Sequence, residues 1–244
     1  MYHVAQQIRK QILTNTNKGK YNTRLSITPK KSKKRSYSST RWIERHITDP
    51  YVKQARMEGY RSRAVYKLLE IHTKHKLFKP WMKIVDIGCA PGSWSQLAAK
   101  FTQSTDSDPS VIGVDYLEVQ PIPGVIVING DVRNCEIVDR IHLALGKRLA
   151  DVVLSDVLLP SAGHKQIDHW RAMDLCRAVI KVSCRLLRPS GNLLLKILIG
   201  GTENELISDL KKDFSSVLCI KPQATRSSSS ELYLLAKKFS QPCE

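Results

Sequence analysis

The segment of this chain best suited to chemistry is glycine-rich, DIGCAPGSW at positions 86–94, and follows a short apolar run. In open α/β sheets, ligands bind beyond the carboxyl ends of the strands, and glycine lets the backbone approach them closely. Gly88 and Gly92 are separated by three residues, and the third glycine that a dinucleotide pyrophosphate requires is missing. The pattern favours S-adenosylmethionine, which has no phosphate. The predicted contacts are Asp86, Gly88, Pro91, Gly92, Ser93 and Trp94.

Two further acids end apolar runs downstream of this loop. Asp115 lies 23 residues after Gly92, where a carboxylate can accept hydrogen bonds from ribose hydroxyls. Asp131 and Val132 follow the next run, and Asp131 is placed to meet the adenine amine. Any one of these acids also fits an ordinary turn. Three acids at the ends of three successive strands, together with the glycine loop, predict a cofactor site for S-adenosylmethionine.

A second group of charged residues lies further along the chain. Lys196 interrupts the apolar run LLLKILI, and a lysine is costly to bury there unless it is paired or neutral. Asp156 follows the run VVLS and is also predicted to contact the cofactor, and Glu231 opens the last strand-like run. If that last strand is antiparallel, Glu231 lies at the same sheet edge as Asp156 and Lys196. Lys67 comes from a helical segment before the first strand, and each charge alone also fits a surface position.

The elements that must position these residues follow from the apolar pattern. Strand-like runs alternate with helical ones, which predicts an α/β domain with a mostly parallel sheet covered on both faces. A Pro-Ser-Gly turn at 189–191 is expected to end one helix before the fifth strand. The predicted strands are 83–87, 111–115, 125–129, 151–155, 192–197, 217–220 and 231–236. The predicted helices are 44–80, 94–101, 134–147, 168–187 and 203–214.

These residues together resemble the FtsJ-type ribose 2′-O-methyltransferases, over residues 44–239. The resemblance implies a Rossmann-like methyltransferase fold, a seven-stranded, mostly parallel sheet with the last strand antiparallel. The family's Lys-Asp-Lys-Glu tetrad falls on Lys67, Asp156, Lys196 and Glu231. The motifs that carry the resemblance are DPY at 49–51, RSRAVYKL at 61–68, residues 86–96, SD at 155–156, LK at 195–196 and KP…R…SELY within 221–233.

The resemblance also implies a mechanism. A ribose hydroxyl must lose its proton as it attacks a methyl group, and Lys196 is implied as the general base. A lysine accepts a proton only in its neutral form, which a nearby cation such as Lys67 and partial burial favour. Asp156 and Glu231 are expected to orient the lysines and the hydroxyl. No metal is predicted, and the scattered cysteines and histidines show no metal-ligand spacing.

The sequence departs from the family in one loop. Family members usually follow the catalytic aspartate with Met-Ala-Pro-Asn, whereas Asp156 here precedes Val-Leu-Leu-Pro-Ser at 157–161. That loop borders the cofactor and the target nucleotide in the implied fold. A catalytically weak or inactive RNA-binding assembly factor of the same fold therefore stays open as an alternative.

The charge of the chain indicates a polyanionic partner. The net charge is +17, and residues 1–43 contain eleven Lys or Arg and no acid. That basic, hydroxyl-rich start is typical of a mitochondrial transit peptide, so we expect a leader at 1–43, a methyltransferase domain at 44–244 and a matrix location. An RNA-binding arm or a nuclear signal at 30–35 would look similar.

The expected substrate is a uridine of mitochondrial large-subunit ribosomal RNA, presented in a ribosomal precursor. A related 2′-O-methyltransferase of tRNA or mRNA caps is the alternative enzyme. We expect no membrane span and a monomer. Two basic groups could follow the RNA backbone, although any one member could equally be a solvated side chain. They are Lys53, Arg56, Arg61 and Arg63 near Lys67, and Lys221, Arg226, Lys237 and Lys238 at the other edge.

Overall fold

The computed structural model describes residues 47–146, 148–159, 163–201, 203–227 and 229–240. The chain divides after Thr48, and the unit that begins at Asp49 contains every element described below. The predicted leader, 1–43, lies outside the described residues, so the division at residue 43 stays a prediction.

The described helices and strands alternate for most of the chain. The helices are α1 Pro50–Met57, α2 Val65–His75, α3 Ser93–Thr102, α4 Cys135–Ala144, α5 Lys165–Leu186 and α6 Glu203–Asp213. The strands are β1 Ile84–Ile87, β2 Val111–Asp115, β3 Val125–Asn129, β4 Ala150–Ser155, β5 Leu187–Leu198, β6 Phe214–Ile220 and β7 Glu231–Phe239.

The seven strands form one sheet in the order β3-β2-β1-β4-β5-β7-β6. Neighbours from β3 through β5 are parallel, whereas β7 is antiparallel to both β5 and β6. The predicted fold class, a mostly parallel seven-stranded sheet with the last strand antiparallel, is confirmed. The carboxyl ends of β1, β4 and β5 and the start of β7 consequently share one edge of the sheet.

Helices cover both faces of this sheet, which explains why its central strands are continuous apolar runs. Strands β1 and β2 are buried along their whole length. Side chains alternate across β1: Val85 and Ile87 join the cluster that packs against α4, α5 and α6. Ile84 joins the other cluster, which packs against α2 and α3. Burial of each such aliphatic side chain contributes about 1.5–3 kcal/mol.

The predicted single helix over 44–80 is wrong, because two helices occupy most of that range. Helix α1 begins after Asp49, whose carboxylate accepts a hydrogen bond from the Tyr51 amide. The chain then turns at Gly59, where φ is +76°, a conformation that glycine adopts at no steric cost. The residues between the two helices therefore form an irregular segment that can make contacts of its own.

The predicted turn at 189–191 is also wrong, because β5 runs through it. Ser190 has a left-handed φ of 64°, and the pairing between β4 and β5 shifts register beside it, between Ala150 and Val152. The turn-favouring residues at 189–191 therefore cause a register shift within a long strand instead of ending it. Among the described residues, no helix is long and apolar enough to cross a membrane.

Candidate active site

A lysine–glutamate pair joins the second helix to the last strand. Lys67, on the buried face of α2, places Nζ 2.6 Å from Glu231 Oε2 at the start of β7. The two side chains are only 11% and 20% exposed. Burial opposes ionisation of Glu231, but the hydrogen bond and charge of Lys67 hold the pKa of that carboxyl below its ordinary value. The Glu231 carboxylate therefore favours its ionised form, and the hydrogen bond fixes it against Lys67.

A second pair forms where β4 and β5 end. Ser155 and Leu195 are register partners, so Asp156 and Lys196 each lie one residue beyond them. Lys196 Nζ lies 3.0 Å from Asp156 Oδ1 and donates to the Asp156 carbonyl at 2.5 Å. The free-energy cost of burying Lys196 in an apolar strand is reduced because its amine is paired with these two oxygens of Asp156.

Tyr233 connects the two pairs. Its hydroxyl donates to Asp156 Oδ1 at 2.7 Å, and Lys67 Nζ lies 5.8 Å from the centre of its ring. Tyr233 is the register partner of Lys196 across β5 and β7, and it is completely buried. Burial and the nearby Asp156 charge raise the pKa of the phenol, so it remains a hydrogen-bond donor.

The structure therefore brings all four predicted catalytic residues together at one sheet edge. It differs from the sequence-based expectation in one respect: each lysine is paired with its own acid. The Lys196 amine donates to the Asp156 carbonyl and lies within ion-pair distance of Asp156 Oδ1, so Asp156 occupies one side of the amine and leaves another for a substrate oxygen. Such an arrangement can hold a hydroxyl and accept its proton once the lysine is neutral.

The glycine loop lies beside this group and is shaped by close approaches. Gly88 has φ +75°, and a Cβ there would lie 2.6 Å from Val157 Cβ. Gly92 has φ +113°, and a Cβ there would lie 2.4 Å from Ile122 Cδ1. Only glycine fits both positions, so the loop after β1 packs directly against the segments after β4 and β2.

Asp86 is the buried acid at the base of the loop. Its side chain is inaccessible to solvent, and Oδ2 accepts a 2.6 Å hydrogen bond from Ser95 Oγ. Oδ1 is buried with no partner among the described residues. Burial raises the pKa of this carboxyl to about 7, against the opposing effect of the Ser95 hydrogen bond. An orphaned acceptor of this kind fits a cationic or hydrogen-bonding ligand.

The other two predicted cofactor acids differ in their surroundings. Asp115 is buried and accepts hydrogen bonds from the Ala90 and Leu117 amides, at 2.8 and 2.9 Å. Asp131 is exposed and forms a forked contact with Arg133, whose hydrogen bonds lower the pKa of the Asp131 carboxyl. Asp115 thus shapes the glycine loop itself, and its contact with a ribose, like that of Asp131 and Val132 with adenine, stays a prediction.

Two other predicted cofactor residues contact the segment before α2. Ser93 Oγ lies 2.7 Å from Ser62 Oγ, and Trp94 Nε1 donates to the Ala64 carbonyl at 2.9 Å. Both Ser93 and Trp94 are buried. Their direct contact with a ligand stays a prediction, as does that of Pro91.

The loop that departs from the family pattern is partly described. Val157 packs against Gly88, and Leu158 is exposed close to Asp156 and Lys196. Pro160 and Ser161 lie outside the described residues. The apolar side chains at 157–159 line a cavity with Lys196 and residues 172–176 in the middle of α5.

A third charged group, which we call the Asp49 cluster, comprises Asp49, Arg63 and Arg226. Both guanidinium groups donate to Oδ2 of the buried Asp49, Arg226 at 3.1 Å. Arg63 also donates to the Ala224 carbonyl and lies over the Tyr51 ring. Two cations share one carboxylate, so the cluster keeps a surplus positive charge, and Arg226 is its more exposed member.

Sequence reasoning missed Tyr233 as a site residue and the contacts of Arg61. Arg61, expected on a basic face that could follow RNA, donates from its guanidinium to three backbone carbonyls, and its contact with RNA stays a prediction. The neighbouring Lys53 and Arg56 are exposed on α1 as expected. Only the strand register could have revealed Tyr233, since it places the ring beside Lys196.

The donor set fits S-adenosylmethionine better than a metal. Within the described ranges, no group of three His, Cys, Asp or Glu side chains could hold a metal ion. The buried orphan oxygen of Asp86 and the glycine positions that admit no side chain make a site for an organic ligand with polar groups.

Comparison with known proteins agrees with this geometry. The model of the FtsJ-like methyltransferase family matches residues 60–239. Curated relatives from Brucella ovis and Brucella abortus, both called ribosomal RNA large subunit methyltransferase E, are 48% identical over 202 residues, which covers 83% of this chain and 84% of each relative. A crystal structure described as a ribosomal RNA methyltransferase from Plasmodium falciparum aligns with TM-score 0.66 at 31% identity, over 74% of this chain and 98% of that one.

Proposed function

This chain belongs to the FtsJ-like methyltransferase family, and from that premise we propose that it methylates a ribose 2′-hydroxyl of large-subunit ribosomal RNA with S-adenosylmethionine as donor. The single observation that supports this reaction best is the convergence of Lys67, Asp156, Lys196 and Glu231 beside the glycine loop. The names of the relatives support the substrate class.

Each side chain of the site has its own role in the proposed reaction. When bound, S-adenosylmethionine supplies a methyl group on a sulfonium sulfur, and methyl transfer to the ribose oxygen leaves a neutral thioether. Lys196 takes the hydroxyl proton on Nζ from the side that Asp156 leaves open. Asp156 and Tyr233 hold the Lys196 amine in place. Lys67 and Glu231 hold each other in place in the neighbouring part of the site. Positioning of donor and acceptor supplies much of the rate.

The cofactor contacts are proposed from the chain's own residues. Asp86 offers its orphan oxygen, Gly88 and Gly92 leave room for close approach, and Asp115 is placed for ribose hydroxyls. Asp131 and Val132 are proposed to contact the adenine. These assignments can be tested one residue at a time by the affinity for S-adenosylhomocysteine.

We further propose a uridine target and a mitochondrial location. The uridine rests on the family resemblance, and the location rests on the basic, acid-free residues 1–43. Fractionation of cells that express a tagged full chain tests the location directly. Recovery of the tag outside mitochondria would contradict it without affecting the reaction.

The decisive test is methyl transfer from labelled S-adenosylmethionine to large ribosomal subunits that lack the modification. The wild-type chain is expected to label a ribose oxygen, and Lys196→Ala is expected to lose at least 10²-fold in rate. Lys83→Ala is the matched control, because the Lys83 side chain is also mostly buried, at 11% exposed against 6% for Lys196, but pairs with Asp108 at the opposite edge of the sheet. Label on a base, or equal loss in both variants, would contradict the proposal.

A second candidate function is an RNA-binding assembly factor of the same fold. The specific observation in its favour is the apolar segment at 157–159 where the family usually has Met-Ala-Pro. Binding of S-adenosylhomocysteine and ribosomal subunits without any methyl transfer would establish this second function.

A further inference from the structure

Arg61 makes an unusual set of contacts between two loops. Its Nη1 donates to the Pro91 carbonyl at 2.9 Å and to the Gln120 carbonyl at 2.8 Å, and its Nη2 donates to the Pro121 carbonyl at 2.7 Å. Pro91 belongs to the glycine loop after β1, whereas Gln120 and Pro121 belong to the segment after β2. One side chain therefore joins the two loops that carry the proposed cofactor residues.

The backbone around Arg61 is fastened to the same region. The Arg61 amide donates to Gln96 Oε1 at 3.0 Å, and Gln96 Nε2 donates to the Gly59 carbonyl at 3.1 Å. The Ser62–Ser93 and Trp94–Ala64 contacts join the same two segments of the chain. Residues 59–64 are thus hydrogen-bonded along their length to residues 91–96, which fixes where the Arg61 side chain starts.

Packing at Gly92 shows how closely the three segments meet. A Cβ at Gly92 would lie 2.4 Å from Ile122 Cδ1 and 3.1 Å from Arg61 Nη1. The guanidinium fills the space between the loops and satisfies carbonyls that point into it. A planar fork with several fixed donors can span carbonyls on two loops, whereas a lysine amine is a single point donor.

Among the described residues, no acid pairs with the Arg61 guanidinium. Its three hydrogen bonds go to neutral backbone carbonyls, and the Arg61 amide donates to the neutral Gln96 side chain. The three carbonyls take three of the five guanidinium donors, and moving the side chain away would leave those carbonyls without their donor. The hydrogen bonds favour a fixed guanidinium over one that follows RNA.

We infer that Arg61 is a positioning residue for the methyl donor, holding the glycine loop and the segment after Asp115 at the separation that the cofactor needs. This inference rests on the proposed function, since it assumes that these loops bind S-adenosylmethionine. It assigns Arg61 to the cofactor side of the reaction and removes it from the RNA-contacting surface.

The test compares Arg61→Lys and Arg61→Gln in the full chain, by calorimetric titration with S-adenosylhomocysteine. Both variants are expected to lose about 10-fold or more in affinity, because neither can donate to both loops. Arg56→Gln is the matched control: Arg56 is exposed on α1, and its replacement is expected to leave this affinity unchanged.

A second measurement separates positioning from RNA contact. The affinity for a single-stranded RNA oligonucleotide is measured as a function of salt concentration, because each lost phosphate contact lowers the slope by about 0.7. Both Arg61 variants are expected to keep the wild-type slope. An Arg61→Lys variant that binds S-adenosylhomocysteine as tightly as wild type, or an Arg61→Gln variant with a reduced slope, would overturn the inference.

Loss of folding is controlled by a variant that spares the guanidinium. Gln96→Ala removes the contact to the Arg61 amide and is expected to weaken S-adenosylhomocysteine binding about 2–5-fold while the protein still unfolds cooperatively. No effect of Gln96→Ala on affinity would count against the inference. A wild-type chain that binds no S-adenosylhomocysteine would overturn the proposed function itself, whereas normal wild-type binding with an unaffected Arg61→Lys overturns this inference alone.

Discussion

Tyr233 donates its hydroxyl hydrogen bond to Oδ1 of Asp156 across 2.7 Å. The same oxygen lies 3.0 Å from Lys196 Nζ, so the phenol and the amine share one acceptor. Because Tyr233 is completely buried within the sheet, it cannot move away without disturbing β7. The rigid phenol therefore determines where the carboxylate, and through it the catalytic amine, is held.

Replacement of Tyr233 by phenylalanine tests that relationship. The change should lower the methyl-transfer rate about 3–30-fold, because Asp156 loses a fixed donor, and should lower the free energy of unfolding by about 1 kcal/mol. The affinity for S-adenosylhomocysteine should change less than about twofold. Tyr66→Phe is the control, since its hydroxyl donates to Glu58 at 3.1 Å away from the site. Equal rate losses in both variants would show that Tyr233 acts only through stability.

A double-mutant cycle on Lys67 and Glu231 should show strong coupling. Lys67→Met leaves the Glu231 charge unpaired, and Glu231→Gln leaves the Lys67 charge unpaired, in both cases with little access to solvent. Each single substitution should therefore lower the free energy of unfolding by more than half of what the double variant loses. We expect a coupling free energy of about 1–3 kcal/mol by denaturant unfolding. The exposed pair Lys212–Asp209 serves as control and should show much weaker coupling, because solvent screens it.

The coupling should also depend on pH. The pKa of Glu231 is lower in the folded chain than its ordinary value of 4.5, so the stabilisation is present above pH 4.5 and is lost as the pH falls through the folded value. Additive effects of the two substitutions at neutral pH would contradict a functional ion pair.

Because of Asp86, the free energy of unfolding should fall as the pH rises from 3.8 to about 7. Its pKa is raised to about 7 from 3.8, so between those values the folded state binds a proton that the unfolded state has released. Stability contributed by the neutral carboxyl is therefore complete below pH 3.8, declines towards pH 7 and is lost above it. Asp86→Asn should remove this dependence.

The measurement is the difference in unfolding free energy between wild type and Asp86→Asn at several pH values. The difference cancels other titrating groups, notably His72, whose pKa burial lowers to about 4. Parallel pH curves for the two proteins would mean that Asp86 is ionised in the folded state throughout.

Gly88→Ala should be far more damaging than a glycine substitution elsewhere. The new Cβ would meet Val157 Cβ at 2.6 Å, in addition to the strain of φ +75°. Gly146→Ala is the matched control, with φ +65° and nothing within 4 Å of its Cβ, and should cost about 1–2 kcal/mol. We expect Gly88→Ala to cost at least about 1 kcal/mol more and to weaken S-adenosylhomocysteine binding. Equal losses of unfolding free energy in the Gly88→Ala and Gly146→Ala variants would show that the glycine loop and the segment after β4 can move apart at little cost.

Arg226 should contact an RNA phosphate, in contrast to Arg61. It shares Asp49 with Arg63, so the cluster has a net positive charge, and the described residues accept hydrogen bonds only from its Nη2. Arg226→Gln is expected to reduce the salt dependence of single-stranded RNA binding by about 0.7 in slope. Arg188→Gln, at a similarly exposed arginine paired with Asp151 on the opposite sheet edge, should leave the slope unchanged. An unchanged slope for Arg226→Gln would contradict the contact.

The parts of the fold that were predictable are those where burial decides the residue type. Strand β2 has the predicted bounds because a strand covered on both faces is a continuous apolar run. Strand β3, at the edge of the sheet, also has the predicted bounds, although most of its residues are only half-buried. The break between α1 and α2 was missed because one glycine, Gly59, interrupts an otherwise helical pattern.

The candidate site was predictable in its acids and lysines, which the family motif marks, but not in its connections. That Tyr233 meets Asp156 depends on the register between β5 and β7, which the sequence of either strand does not determine. That Arg61 faces carbonyls depends on the path of residues 59–64, which the sequence pattern predicted to be helical and which form an irregular segment instead.

The contact between Lys67 and Glu231 spans 164 residues of sequence, and this has a consequence for synthesis. Strands β1 to β4, with the glycine loop, leave the ribosome well before β7, which must then insert between β5 and β6. A growing chain can therefore complete its glycine loop, and bring Asp156 to Lys196, while Lys67 still lacks Glu231. The Lys67–Glu231 pair and the Tyr233–Asp156 hydrogen bond form only when the last strand enters the sheet.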